Sequence, residues 1–561
     1  MMQKKQYKTN GYALFAKRCF WVNLCGNSVA FFFVVGCSSG DVAQDAVDGN
    51  SRVEDAVETT STDPKPSGFS MEEDWFTVVE GSTETLDVLA NDNPVDLASL
   101  EIAEFPRHGL LSIGADQSIL FEAAADYNGY DSFRYRIVLE SGVSHEATAH
   151  LTIYKTLEDG APMVQLPRKS ILADEVAVVI NSQDPISMEI GPAYALLRQI
   201  PESNLIYIDL DPAETTISSA AFAAAYADVE AGLTPEIQAF VLTWLAPYRV
   251  ECMSMTSAFA LGGFSPEYCN TSDEPCSFTK EVDYFHSEST RPFDDHAIRP
   301  AMMLAGQTLE YVQQLVDRGF AADHTFPTGT GYLVRTSDAN RSVRWSDFRN
   351  TVKDWDHEGG LDLRFEDRSH PDDPDWISDA SDVLFYFTGL IDVPFIDSNT
   401  YRPGAVADHL TSFGGSLLDS GDQMSALRWL EAGVTASYGT VVEPCNYQTK
   451  FPQIRVFVDQ YFRGATVLEA YWKSVRWPGE GVFIGEPLAR PFGRDVLSYE
   501  DGILNISTTG LSPARLYVVE AADHIDGPYE PVMDDIQVLV HKMYDIGVYP
   551  AQQRIYRLRA K

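Results

Sequence analysis

Two residues in this 561-residue chain are placed to do covalent chemistry. The run Gly439-Thr440-Val441-Val442-Glu443-Pro444-Cys445-Asn446 puts Cys445 just beyond a buried strand expected over 438–442. His409 stands 36 positions upstream (445 − 409), in Asp408-His409-Leu410-Thr411-Ser412-Phe413-Gly414-Gly415. A thiol attacks as its thiolate, so it needs a lowered pKa or an adjacent base, and an imidazole supplies one. Backbone N–H groups around Gly414 and Gly415 are candidates for holding an oxyanion. Asp408 and Glu443 flank the pair, and negative charge there would raise a thiol pKa. The plainer readings are a small buried hydrophobe or disulfide partner for Cys445, and a satisfied polar loop residue for His409.

Cysteine arithmetic bears on that choice. Of seven cysteines, Cys19 and Cys25 lie in a leader-like segment and Cys37 at its end. Cys252, Cys269, Cys276 and Cys445 remain, and four cysteines allow three full pairings. Cys269 and Cys276 share a loop rich in Ser, Pro, Asn and Asp, so a local bridge is expected there. Cys252 and Cys445 are left, and a bridge between them would abolish the nucleophile. No cofactor is expected. His-Glu-x-x-His, Cys-x-x-Cys and the phosphate-loop signature do not occur. The acidic stretch over 354–375 lacks the spacing of a calcium loop and reads as solvated surface.

The elements that must position these residues follow from pattern. Lys+Arg is 41 and Asp+Glu 82, a net charge of −41, which argues against nucleic acid as a partner. Residues 1–36 contain no acid, carry Lys4, Lys5, Lys8, Lys17 and Arg18, and end on the apolar run Val29–Val35 and Gly36, as an export signal does. Residues 37–70 read as an acidic flexible tether. Residues 71–155 alternate in some seven short strands, the size of an Ig-like sandwich. Residues 165–495 alternate strand and helix, which implies a mostly parallel sheet covered on both faces. Strands are expected at 175–180, 204–209, 248–255, 382–387, 438–442 and 482–484. Helices are expected at 186–199, 217–230, 235–245, 309–316, 422–432 and 453–475. Residues 496–561 revert to short strands and form a small C-terminal β domain.

Several segments resemble known families. Val34-Val35-Gly36-Cys37 resembles a bacterial lipobox, which implies a diacylated Cys37, a membrane reached through that anchor, and a place in the cell envelope, at the outer membrane or cell surface. The words Val88-Leu89-Ala90-Asn91-Asp92-Asn93 and Asp126-Tyr127-Asn128-Gly129-Tyr130-Asp131-Ser132-Phe133-Arg134-Tyr135 resemble cadherin-like bacterial Ig modules. Some of those bind calcium, and Asp92, Asp126 and Asp131 would be the ligands; the alternative is that they cap turns. Over 170–493, the words DHLTSFGG and VVEPCNY resemble an uncharacterised family of secreted bacterial proteins. The order strand, His, helix, strand, Glu-x-Cys resembles caspase- and gingipain-like cysteine peptidases, with His409 as base and Cys445 as nucleophile. The chain departs from that pattern: Leu410 follows His409, and Leu390 stands where a His-Gly pair typically follows the strand at 382–387. Two functions are therefore expected: a cysteine peptidase-like hydrolase, or a non-catalytic surface protein whose α/β domain binds protein or glycan.

Overall fold

The computed structural model describes residues 71–561 except 93–96, 115–116, 125–126, 128, 156–160, 271–275, 354, 356–359 and 525–526. The export signal, Cys37, the tether and Asp126 lie outside the described residues. So do Asp354, Asp356, His357 and Glu358 of the acidic stretch.

The first domain is an Ig-like sandwich. One sheet runs Asp74–Val79, Ser144–Tyr154, Gly129–Leu139, Leu97–Glu104, and the other Thr83–Leu86, Ile119–Ala123, Gly109–Ile113. Alternation sends Phe133, Tyr135 and Ile137 inward against Phe121 and Leu151. The buried Tyr135 hydroxyl donates to Asp74 Oδ2 and lies 2.7 Å from both that oxygen and the Val88 carbonyl. Asp131 caps the bend at 107–108, accepting from the N–H groups of Arg107 (3.0 Å), His108 (2.7 Å) and Ser132 (2.8 Å). Asp92 likewise accepts from the Glu72 N–H. Asp131 therefore caps a bend, while Asp92 ties the start of the first strand to the segment at 92.

The central domain is built on a ten-stranded sheet. Its strands are numbered here in chain order: β1 Val176–Asn181, β2 Leu205–Ile208, β3 Ala239–Leu242, β4 Ala301–Met303, β5 Thr330–Arg335, β6 Asp362–Asp367, β7 Val383–Thr388, β8 Tyr401–His409, β9 Ala436–Thr440 and β10 Gly481–Gly485. The spatial order is β2-β1-β3-β4-β10-β9-β8-β7-β5-β6. Neighbours are parallel except β9 and β10, which pair antiparallel. The sheet thus has two parallel halves of opposite direction. Each half reverses strand order once, between β1 and β3 and between β5 and β7. Those reversals are where an open α/β sheet leaves a crevice.

Burial on both faces explains the sequences. β1, VAVVIN, and β7, VLFYFT, are buried at every position. Helices cover them: α1 Pro185–Leu197, α2 Ser219–Gly232, α3 Leu309–Ala322, α4 Trp345–Lys353, α5 Ile454–Phe462 and α6 Val467–Ser474. Asp184, Ser218, Thr308 and Thr466 cap α1, α2, α3 and α6 through their side-chain oxygens.

Four expected elements differ. The helix expected over 235–245 is instead strand β3, whose AFVL is wholly buried between β1 and β4. A short apolar run carries no period to separate helix from strand, and the Thr-Pro start signal misled. The strand expected over 248–255 is a small hairpin, Arg249–Val250 with Met253–Ser254, outside the main sheet. The helix expected over 453–475 breaks into α5 and α6 at Gly464, which takes φ +96°. The helix at 422–432 shrinks to Leu427–Glu431. Within the acidic stretch, β6 is an edge strand whose carboxylates Asp362 and Asp367 pair with Arg364 and Arg335.

The C-terminal β region packs two sheets. One contains Val496–Glu500, Ile503–Thr508 and Tyr544–Val548; the other Glu530–Gln537, Leu516–Ala522, Ile555–Ala560 and Met163–Gln165. The last of these precedes β1 in the chain, so the segment before the central domain is pinned to the segment after it.

Candidate functional site

The residues singled out for catalysis lie at the end of β8 and beyond the end of β9. Thr388 and His409 are paired positions at the ends of β7 and β8. His409 is 1% exposed, and both ring nitrogens are engaged: Nδ1 accepts from Trp429 Nε1–H at 3.0 Å, and Nε2 lies 3.0 Å from the Met424 carbonyl. A carbonyl only accepts, so Nε2 carries the proton and the ring is neutral. Burial pushes the imidazole pKa down to about 3, with the Met424 bond opposing and Arg344 and Arg341 assisting. An imidazole so enclosed has no free lone pair for a thiol. The base assigned to His409 is therefore corrected: the residue is a buried hydrogen-bonding strut.

The cysteines pair differently from expectation. Cys252 bonds Cys269 and Cys276 bonds Cys445, with Cα separations of 5.6 and 5.5 Å. The local Cys269–Cys276 bridge is thus corrected, and Cys445 has no thiol to act as a nucleophile. Loop composition marks where a cysteine is exposed, but pairing depends on which segments the fold brings alongside. Here it ties the 270s loop to the segment after β9. Around that tie, Tyr447 donates to the Cys276 carbonyl at 3.1 Å, and Asn270 Nδ2 donates to the Glu443 carbonyl at 3.0 Å. The Cys445 N–H donates to Glu443 Oε1 at 2.8 Å.

Gly414 and Gly415 serve packing. A Cβ on Gly415 would lie 2.4 Å from the Gly439 carbonyl oxygen, and one on Gly439 would lie 2.3 Å from the Gly414 carbonyl carbon. Two backbones cross here at a distance that only glycine allows. The Gly415 N–H donates to the Thr440 carbonyl at 2.9 Å, and the Gly414 carbonyl accepts from Ala426 at 2.7 Å. The oxyanion role for Gly415 is corrected accordingly, because its donor is already used. At the end of β7, Leu390 sits in an apolar cluster with Trp429, Val393 and Ile377. A Cβ on Gly389 would lie 2.0 Å from the Arg341 carbonyl oxygen, so the segments that follow β5 and β7 pack backbone against backbone.

What does converge is a buried ionic pair that pattern reading did not single out. Arg344, 2% exposed, donates through Nη2 to the Thr388 carbonyl (2.8 Å) and to Asp408 Oδ1 (2.6 Å). Asp408 Oδ2, Arg344 Nε and Thr388 Oγ1 are buried without a hydrogen-bond partner among the described residues. Burial raises the Asp408 pKa and Arg344 opposes it. A second such pair joins Lys450 Nζ to Glu480 Oε1 at 2.9 Å, with the Asn270 N–H also on that oxygen at 2.7 Å. Asp408 is visible in sequence as an acid beside His409. Arg344, in Ser342-Val343-Arg344-Trp345, has no local signal of burial at all.

Comparison with known proteins supports one domain. Residues 65–153 match the family model of a bacterial Ig domain. No curated protein matches the chain. Among solved structures, an endo-fucoidan hydrolase of glycoside hydrolase family 107 is 11% identical with a TM-score of 0.13, covering 22% of this chain; this chain spans 19% of that one. The Arg-specific cysteine proteinase gingipain R is 8% identical with a TM-score of 0.32, covering 70% of this chain and 99% of that one. A structure described as a protease gives 9% identity, a TM-score of 0.30, and the same shares of 70% and 99%. Superpositions this loose carry no argument about activity. The chain is described by its own architecture: an Ig-like domain, a larger mixed α/β domain on a parallel-rich sheet, and a C-terminal β region.

Proposed function

We propose that this chain is an exported, lipid-anchored envelope protein whose α/β domain binds a protein or glycan and does not perform Cys/His hydrolysis. The observation that carries this reading is the bond between Cys445 and Cys276, alongside a neutral His409 with both nitrogens occupied. Two disulfides also favour an oxidising compartment, in line with the export signal. The acidic surface suits a soluble ectodomain and disfavours polyanionic partners.

The test has two parts. Alkylation of the unfolded, unreduced chain followed by peptide mapping should leave all four of Cys252, Cys269, Cys276 and Cys445 unlabelled. A thiol-directed activity probe should label native protein no better than Cys445→Ala. Labelling of Cys445 in the native chain, lost in that variant, refutes the binding-module reading and restores the peptidase-like one. For the anchor, metabolic labelling with an alkyne fatty acid should mark the wild type and fail with Cys37→Ala; equal labelling refutes it.

A further inference from the structure

A cavity of about 100 Å³ lies at the seam between the central domain and the C-terminal β region. By the same measure one water needs roughly 10–15 Å³, so the space exceeds a single trapped water several-fold. Its walls come from four places: the linker at 167–169, the loop at 288–290, α5 and α6 with the turn between them, and the C-terminal β region at Thr508, Tyr517 and Leu558. Seams between domains are favoured places for small ligands.

The charge of this lining inverts that of the chain. Acids outnumber bases two to one overall, 82 to 41. On the cavity wall stand Arg168, Lys169, Arg463, Lys473 and Arg515 against one acid, Glu288. Three of the cations are already answered. Arg168 pairs with Glu175, Lys169 with Asp495, and Arg463 with Asp459 and Glu288. The other two are not matched in this way. Lys473, 1% exposed, has its nearest carboxylate oxygen, on Glu469, at 3.9 Å and a long 3.4 Å contact to Gln460 Oε1. Arg515, exposed, has no ion pair among the described residues.

Gln460 supplies the second observation. It is 3% exposed, lines the cavity, and its Nε2 has no hydrogen-bond partner among the described residues. A buried amide donor left unmade is destabilising, so the wall offers an N–H group that a ligand would satisfy. Glycines shape the space beside them. A Cβ on Gly510 would lie 2.6 Å from Lys169 Cε, and one on Gly464 2.9 Å from its Cδ.

We propose that this seam binds a small oxyanion, held by the Lys473 ammonium and the Gln460 amide inside and by the Arg515 guanidinium at the mouth. The one wall carboxylate, Glu288, is already taken up by Arg463, so the uncommitted donors and net positive charge select oxygen acceptors, as in a sulfate, a phosphate or a carboxylate. Because the walls belong to two domains, the bound anion also fastens the C-terminal β region to α5 and α6.

The experiment is calorimetric titration of the full-length chain with sodium sulfate, phosphate and acetate, against sodium chloride at matched ionic strength. One saturable site is expected, with affinity reduced at least fivefold by Arg515→Ala and at least tenfold by Gln460→Leu. Arg515 is exposed, so its variant should keep the wild-type melting curve without ligand, even if Lys473→Met fails to fold. Preference among the salts separates a tetrahedral from a planar oxyanion. Heats that chloride reproduces, or binding unchanged in both Arg515→Ala and Gln460→Leu, overturn the proposal.

Discussion

Replacing Arg344 with Met removes the guanidinium that faces Asp408 and leaves a carboxylate enclosed at the end of β8. In the wild type both partners are buried, and Arg344 lies 2.6 Å from Asp408 Oδ1 while also holding the Thr388 carbonyl. Breaking a buried pair by deleting one partner costs about 3–5 kcal/mol, because the survivor has lost its compensation. At about 2 °C per kcal/mol for a domain of this size, Arg344→Met should melt about 6–10 °C lower, read by circular dichroism or calorimetry. The loss should depend on pH. Burial already raises the Asp408 pKa, and removing Arg344 removes the influence that lowered it. A carboxyl whose folded pKa exceeds its unfolded one destabilises as it ionises in the folded state. The deficit of Arg344→Met is therefore smallest below the ordinary Asp range near 3.8 and grows as pH rises through the folded value. Arg344→Met/Asp408→Leu should recover most of the loss, since an apolar replacement for a buried pair is often neutral. A single variant melting within 2 °C of wild type from about pH 5 to 8, or a double variant no better than the single, would refute the reasoning.

Two further perturbations follow from the same geometry. His108 lies 3.3 Å from Asp131 of the Ig-like domain and 3.3 Å from Asp174 of the central domain, stacked on Tyr127. Burial would lower its pKa, but the two carboxylates outweigh it and push it up to about 9. Its stabilisation is thus complete below the unfolded value near 6.5 and lost as pH rises through about 9; an NMR titration should show that shift, and His108→Gln should flatten melting between those pH values. Gly439→Ala would drive a Cβ to 2.3 Å from backbone that cannot move aside, so it should cost several kcal/mol, about 3 or more, and accumulate as insoluble protein; a soluble variant with wild-type melting would contradict the crossing at Gly414 and Gly415.

The large elements were legible where one physical cause dominated. β1 and β7 are continuous apolar runs because both sheet faces are covered, and α1, α2 and α3 carry readable caps or faces. The seven-strand Ig pattern was legible because alternation and turn residues coincide. β3 was misread because four apolar residues have no period, and α5 and α6 were merged because apolar spacing continues across Gly464.

By itself, the amino-acid sequence determined the order of domains, the acidic character, and the residue types available for chemistry. Those depend on composition and on neighbours a few positions apart. Tertiary structure alone decided what those residues do. Cys445 meets a partner 169 positions away, His409 meets Trp429 and Met424, and Arg344 meets Asp408 64 positions on. The seam likewise gathers Lys473 and Arg515 from two domains. Such meetings are set by which strands lie side by side, and the β9/β10 junction that orders the sheet leaves no local mark. A thiol, an imidazole or an ammonium is functional only through what stands within a few ångströms of it, and that distance is a property of the packed sheet.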